Sequence, residues 1–268
     1  MNLSAEPDTP PLPAAEPRLA AGGRYVAISL LSVLTGLLLW EAVAAGLRSS
    51  LLPTPAGVVH AALGMGAGVI ARNFAASLRR IAIGYAGGVL LAIPVGLLVG
   101  WYRGARLALD PWIQFLRNVP PLALIPFVIV LFGIGELPKY LVIGLAAFLP
   151  VTVALIQGVI DADHVLIDAA RVLGANQFDV FLRVVIPGAM PVFFVGLRIA
   201  LGNCWGTLVA AELIASRSGL GYMISQGELY FNIAEIFIGI VLIGLAGLAM
   251  DRLFYLFQQR LTAWQERR

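Results

Sequence analysis

The chain has 268 residues, of which 60% are hydrophobic and only 12% charged, with a mean hydropathy of +0.90. A soluble domain carries about 25% charged residues, so a soluble enzyme is excluded and an integral membrane protein is expected. The net charge of +3 comes from seventeen arginines and one lysine against fifteen acids, an excess that basic flanks of membrane spans explain without nucleic acid.

Residues 1–22 hold five prolines and little that could form a core, which predicts a disordered tail reaching residue 24. The basic start and short apolar stretch of a signal peptide are missing there, so none is expected. A helix needs about 20 apolar residues to cross the hydrocarbon layer. Six runs qualify, at roughly 25–47, 80–100, 112–134, 139–160, 190–214 and 233–257. The fold class expected is therefore all-α, polytopic, with a membrane domain over 25–257, a loop at 161–187 and a tail over 258–268.

With the N-terminus placed in the cytoplasm, twelve basic residues fall on the inner side and six on the outer. That is the sense of the positive-inside rule, and it puts both termini and the 161–187 loop in the cytoplasm. In the second run, Gly84, Gly88, Ala92, Gly96 and Gly100 recur at every fourth position. Such a stripe lets another helix backbone approach closely, either within this chain or from a second copy.

Proline is frequent in and beside the spans, at Pro94, Pro120, Pro121, Pro126, Pro150 and Pro191. Freed carbonyls in lipid must find a partner in protein or a water-filled path. RNVPPLALIP (117–126) thus reads either as a translocation pathway or as the ordinary tolerance of membrane helices for proline. Arg117, Asn118, Pro120 and Pro121 are candidate lining residues, as are Arg198, Asn203, Trp205 and Glu212 of the fifth span. The alternatives are interfacial or ion-paired arginines and, for Glu212, a cap or a pair with Arg217.

No catalytic constellation stands out. His60 and His164 fall on opposite predicted sides, so no metal site is expected. The lone Cys204 allows no internal disulfide. A G-x-x-x-x-G-K-[ST] loop needs a lysine, and the only one is Lys139 in ELPKY. No cofactor is expected on this chain itself, and uphill transport would draw on an ion gradient or another subunit.

The 161–187 loop is amphipathic. Positions 165, 166, 169, 172 and 173 form one apolar helical face, with Asp168 and Arg171 away from it. Gly174 suits a left-handed C-terminal cap and Asn176 an N-cap. Phe178, Phe181, Leu182 and Val185 then repeat at helical spacing, Asp179 and Arg183 pair at i, i+4, and Pro187 is expected to stop the second helix. Two short helices of mixed charge favour a docking surface for a cytoplasmic protein over a pair lying on lipid.

The spacing D168-A-A-x-x-x-G174-x9-V184-x-I186-P187 resembles the EAA loop of the permease subunits of bacterial ABC importers. Asp stands for the usual Glu at 168, Val for Ile at 184 and Ile for Leu at 186. LRNVPPLALIPFVIVLFGIGELPK (116–139), IPGAMP (186–191), GLRIALGNCW (196–205) and VAAELI…SGLGYMI (209–224) are similar to the branch for sulfonates, taurine, nitrate and bicarbonate, which includes permeases for thiamine-precursor pyrimidines. The resemblance implies a type I ABC importer permease fold in a bacterial inner membrane. It also implies a homodimer, a separate dimer of ATP-binding subunits that hold ATP and Mg, and a periplasmic or extracellular solute-binding protein. Carried over by position, Asp168, Ala169, Ala170 and Gly174 would form the core of the contact with the ATPase, and Arg171, Phe178, Phe181 and Pro187 would complete its surface. An ion-coupled secondary transporter is the competing class. It predicts acids or histidines buried mid-span and an inverted repeat, whereas Glu41 and Glu212 lie toward span ends.

Overall fold

The computed structural model describes residues 18–47 and 52–262. Every regular element among them is helical, and the chain divides into two compact units at Ala56–Gly57. The first unit carries α1 (Arg18–Leu47), which holds one helix long and apolar enough to span a membrane, Ala27–Gly46. Within that unit the Trp40 indole donates to the Pro53 carbonyl at 3.0 Å. Residues 1–17 of the expected tail lie outside the described residues, as do residues 263–268. Helix α2 (Pro55–Met65), which no apolar run announced, leads into the second unit.

The second unit is built on three long spans, α3 (Ala67–Trp101), α6 (Glu136–Ile160) and α9 (Ile186–Ala215). Between lipid tails the hydrophobic effect offers little drive for helix association, so close backbone approach must supply it. The glycine stripe of α3 does this against α6 of the same chain. A Cβ added at Gly84 would fall 2.7 Å from Ile143, and one at Gly96 or Gly100 would strike Leu155 or Val159. Gly158 of α6 meets Ala189 of α9, and Gly196 of α9 meets Ala154. Helix α6 is thus held between α3 and α9 by small residues on both sides. Helices α10 (Leu220–Leu229) and α11 (Ile233–Thr262) complete the unit against α9.

The expected span at 112–134 breaks at its prolines. The chain forms α4 (Arg103–Arg117), one 3-10 turn over Pro121–Leu124, and α5 (Ile125–Phe132), and the two arms bend by 85°. Pro121 forces the preceding residue out of the helical region, and Pro120 sits at φ −59°, ψ 126°. By contrast Pro94, Pro150 and Pro191 lie inside unbroken helices. One broken pair and five long helices give up to six membrane crossings.

The segment after α6 contains α7 (His164–Val172), capped by the Asp163 carboxylate on the Val165 N–H at 2.8 Å. Gly174 follows at φ +89°, a conformation that a Cβ disfavours. Asn176 then caps α8 (Gln177–Val180) through the Asp179 N–H. Pro187 does not stop this helix. The backbone widens into a π turn over Phe181–Val185, in which the Ile186 N–H reaches the Phe181 carbonyl, and continues into α9. A proline removes the bond to the residue four before it and crowds that carbonyl. The wider turn accommodates both effects just before Pro187.

Candidate functional site

Three features meet the description of a working surface: the helix pair after α6, a cavity between α6 and α9, and a buried polar cluster at the opposite end of the bundle.

The helix pair is seated by one face and open on the other. Ile167, Val180, Val185, Val159, Ala162 and Ala189 form a buried apolar cluster, with Phe181 packed against it. Phe181 also lies 5.0 Å from Trp101, ring centroid to centroid. Burying one such aliphatic side chain contributes about 1.5–3 kcal/mol. The predicted apolar face is therefore divided. Ile167, which lay outside the predicted set, anchors the pair, while Val172 and Leu173 are 88% and 87% exposed and Phe178 is 69% exposed. Asp168 and Arg171 pair at 3.3 Å on the open side, a geometry worth little in water. Asp168, Ala169, Arg171 and Gly174 are all exposed, whereas Ala170 and Pro187 are half-buried.

The cavity has a volume of about 460 Å³. Its walls come from Leu149, Val153, Val192 and Ile199, and its polar groups are Arg117, Gln157 and Asn203. Of the candidate lining residues, Arg117, Pro121 and Asn203 border it; Gln157 was not foreseen. Gln157 also donates to Asp161 at 2.9 Å. Asn118 instead donates its amide to the Gln114 carbonyl at 2.7 Å, and Pro120 occupies the break itself. Arg198, Trp205 and Glu212 stand seven residues apart, on a face of α9 turned away from this cavity. Arg198 makes a bidentate pair with Asp251 of α11 at 2.8 and 2.9 Å, and its guanidinium lies 5.8 Å from the centre of the Tyr255 ring. Trp205 is buried, within reach of Gly247 of α11.

Glu212 belongs to the polar cluster. It does not pair with Arg217; its carboxylate accepts from Arg80 at 2.7 Å, from the Ser77 hydroxyl at 2.8 Å and from the Gly221 N–H at 2.8 Å. Arg80 is 1% exposed and Glu212 fully buried. The other edge of the Arg80 guanidinium takes Glu136 in two bonds of 2.7 Å, and Lys139 meets the same carboxylate at 2.9 Å. Ser218 accepts from Arg80 as well, and the Ser77 oxygen receives the Leu220 N–H. The cluster thus ties the near ends of α3, α6 and α9 to the segment that opens α10. Sequence reasoning set Arg80, Lys139 and Glu212 at span ends without joining them. The available signal was the balance of two cations and two acids at the ends of three apolar runs.

Among the described residues, no three His, Cys, Asp or Glu side chains converge on a metal-sized space. Comparison with known proteins adds the relationship. A family model described as a binding-protein-dependent transport system inner membrane component matches residues 88–263. A probable ABC transporter permease protein of Brucella abortus is 49% identical over 241 residues, covering 90% of this chain and 96% of its own length. The taurine transport system permease protein TauC of Escherichia coli is 42% identical over 193 residues, which is 72% of this chain and 70% of its own. Among solved structures, an amino acid ABC transporter with histidines covers 70% of this chain and 92% of the other. Its TM-score is 0.59 at 16% identity, a likeness of fold alone.

Proposed function

The chain belongs to the binding-protein-dependent transport system inner membrane components, in the branch with curated taurine, aliphatic sulfonate and nitrate permeases, and from that premise we propose how it works. It is an ABC transporter permease, a multi-pass membrane protein that is not itself an ATPase. In our reading two copies form the pathway of an importer in a bacterial inner membrane, with both termini and the 161–187 segment in the cytoplasm. A separate pair of ATP-binding subunits supplies the energy, using ATP and Mg, and an external solute-binding protein delivers the cargo.

The single observation that carries the reading is the open side of α7 and its following turn. Val172, Leu173 and Phe178 present apolar surface to solvent on a segment anchored from behind by Ile167, Val180 and Val185. Such a surface suits insertion into a groove of a partner. Asp168, Ala169, Ala170, Arg171 and Gly174 would lie in that contact. A movement of the partner would pass through the buried cluster and the continuous α8–α9 helix to the middle of the membrane.

For the cargo we propose a small anion such as taurine or another sulfonate, nitrate or bicarbonate. Supporting it are the names of the relatives and the cavity chemistry, in which one arginine and two amides stand among apolar walls. The test is uptake in proteoliposomes holding this chain, its ATP-binding subunit and the cognate binding protein. Uptake should require ATP and the ATP-binding subunit. Uptake driven by an ion gradient without that subunit would overturn the reading. The cargo is settled separately by which anion raises the melting temperature of the binding protein.

A further inference from the structure

A second cavity, of about 560 Å³, lies where the α3–α4 elbow faces α7 and α8. Trp101, Arg103, Arg106, His164, Arg171 and Gln177 border it, and no carboxylate does. Arg106 is fixed in place by donating to the Val99 and Gly100 carbonyls at the end of α3. Those carbonyls are the unpaired acceptors every helix terminus leaves, so Arg106 is oriented by them while retaining its full charge. The Arg103 side chain makes no hydrogen bond or ion pair among the described residues, and it projects from the first turn of α4. From the opposite wall comes Arg171, whose side chain has one partner among the described residues, the exposed Asp168 at 3.3 Å. Of the acids beside the lining residues, Asp161 accepts from Gln157 at 2.9 Å and Asp163 caps α7 through the Val165 N–H. Three guanidinium groups and an imidazole, from α4 and α7, thus surround one polar space that no carboxylate lines.

We propose that this cavity binds a phosphate-class oxyanion, carried either by an anionic lipid headgroup or by a soluble phosphate. Guanidinium groups match the paired oxygens of such an anion. One anion between Arg103 and Arg106 of α4 and Arg171 of α7 braces the helix pair against the elbow. The site lies away from the α6–α9 cavity and serves control of the helix pair, whatever the transported solute.

Thermal unfolding of the full chain in nanodiscs tests it. Inorganic phosphate is titrated in phosphatidylcholine discs against chloride at equal ionic strength. In a second arm phosphatidylglycerol replaces part of the phosphatidylcholine. We expect a rise in Tm in at least one arm, lost in Arg103→Gln/Arg171→Gln and kept in Arg183→Gln, which removes a charge at the same end but outside the cavity. A rise with phosphatidylglycerol alone assigns the lipid, and one with phosphate alone assigns the soluble anion. Where the double variant folds poorly, Arg103→Gln alone serves, because the Arg103 side chain makes no bond among the described residues. The site is overturned by no rise in either arm, by a rise undiminished in the Arg103 variants, or by equal loss in Arg183→Gln.

Discussion

Arg80 of α3 and Glu212 of α9 meet at 2.7 Å with neither side chain reaching solvent, although 132 residues separate them. Removing one member of a buried pair leaves an uncompensated charge, at a cost of about 3–5 kcal/mol. Arg80→Met and Glu212→Gln are each expected to lower resistance to unfolding by detergent titration. Joining Arg80→Met to Glu212→Gln is expected to cost less than the sum of the two single changes. Additive losses would show that the two residues act separately.

Gly219 stands at φ +120°, and a Cβ there would fall on the Glu212 carboxylate. That carboxylate cannot step aside, because Arg80, Ser77 and the Gly221 N–H hold it. Gly219→Ala is expected to destabilise the chain by about 1–3 kcal/mol. Gly202→Ala, where nothing lies within 4 Å of the added carbon, is the control. Measured melting in nanodiscs should separate the two clearly.

The α3–α6 contact makes a sharper comparison still, between neighbours. A Cβ at Gly88 would meet the Gly144 carbonyl and lie 2.8 Å from the Ala147 Cβ, whereas one at Gly87 meets nothing within 4 Å. Overpacking typically costs about 1–3 kcal/mol. Gly88→Val is therefore expected to lower Tm and membrane yield, and Gly87→Ala to leave both unchanged. Equal effects would mean that α3 and α6 are not packed along this stripe.

At the helix pair, Gly174→Pro is expected to leave the chain in the membrane while abolishing ATP-dependent uptake, since a proline cannot adopt φ +89°. Phe178→Asp alters an exposed side chain, so its Tm should stay near wild type while co-purification of the ATP-binding subunit falls. Normal uptake in both variants would count against coupling through this segment.

The two arginines once grouped as pathway candidates should part company. Arg117 borders the α6–α9 cavity, so Arg117→Gln is expected to lower uptake or raise its KM with little change in Tm. Arg198 is committed to Asp251, so Arg198→Gln should lower Tm. That effect should be modest, because the pair is partly exposed. Asn203→Leu is expected to behave like Arg117→Gln.

Periodicity and composition were enough for the membrane class, five long helices and the caps at Gly174 and Asn176. Each depends on neighbours within a turn or two of chain, where apolar spacing, a missing Cβ or a short polar side chain has one favoured geometry. The break at Pro120–Pro121 was written in the two prolines. Its angle of 85° was not, because hydropathy counts side chains and ignores backbone dihedrals. Pro187 misled in the other direction, since a π turn just before it absorbed the clash that would have ended the helix. Glu212 could not be placed from its own surroundings in the chain: Arg217 is its neighbour in sequence, but Arg80 is its neighbour in space. Arg198 and Trp205 share the same fate on α9. Which side of a helix faces a cavity, which helix receives a glycine stripe, and which opposite charge takes a buried carboxylate all depend on atoms brought together from distant chain. Those choices were made by the packing of α3, α6 and α9, where close backbone contact and the cost of an unpaired buried charge leave few alternatives.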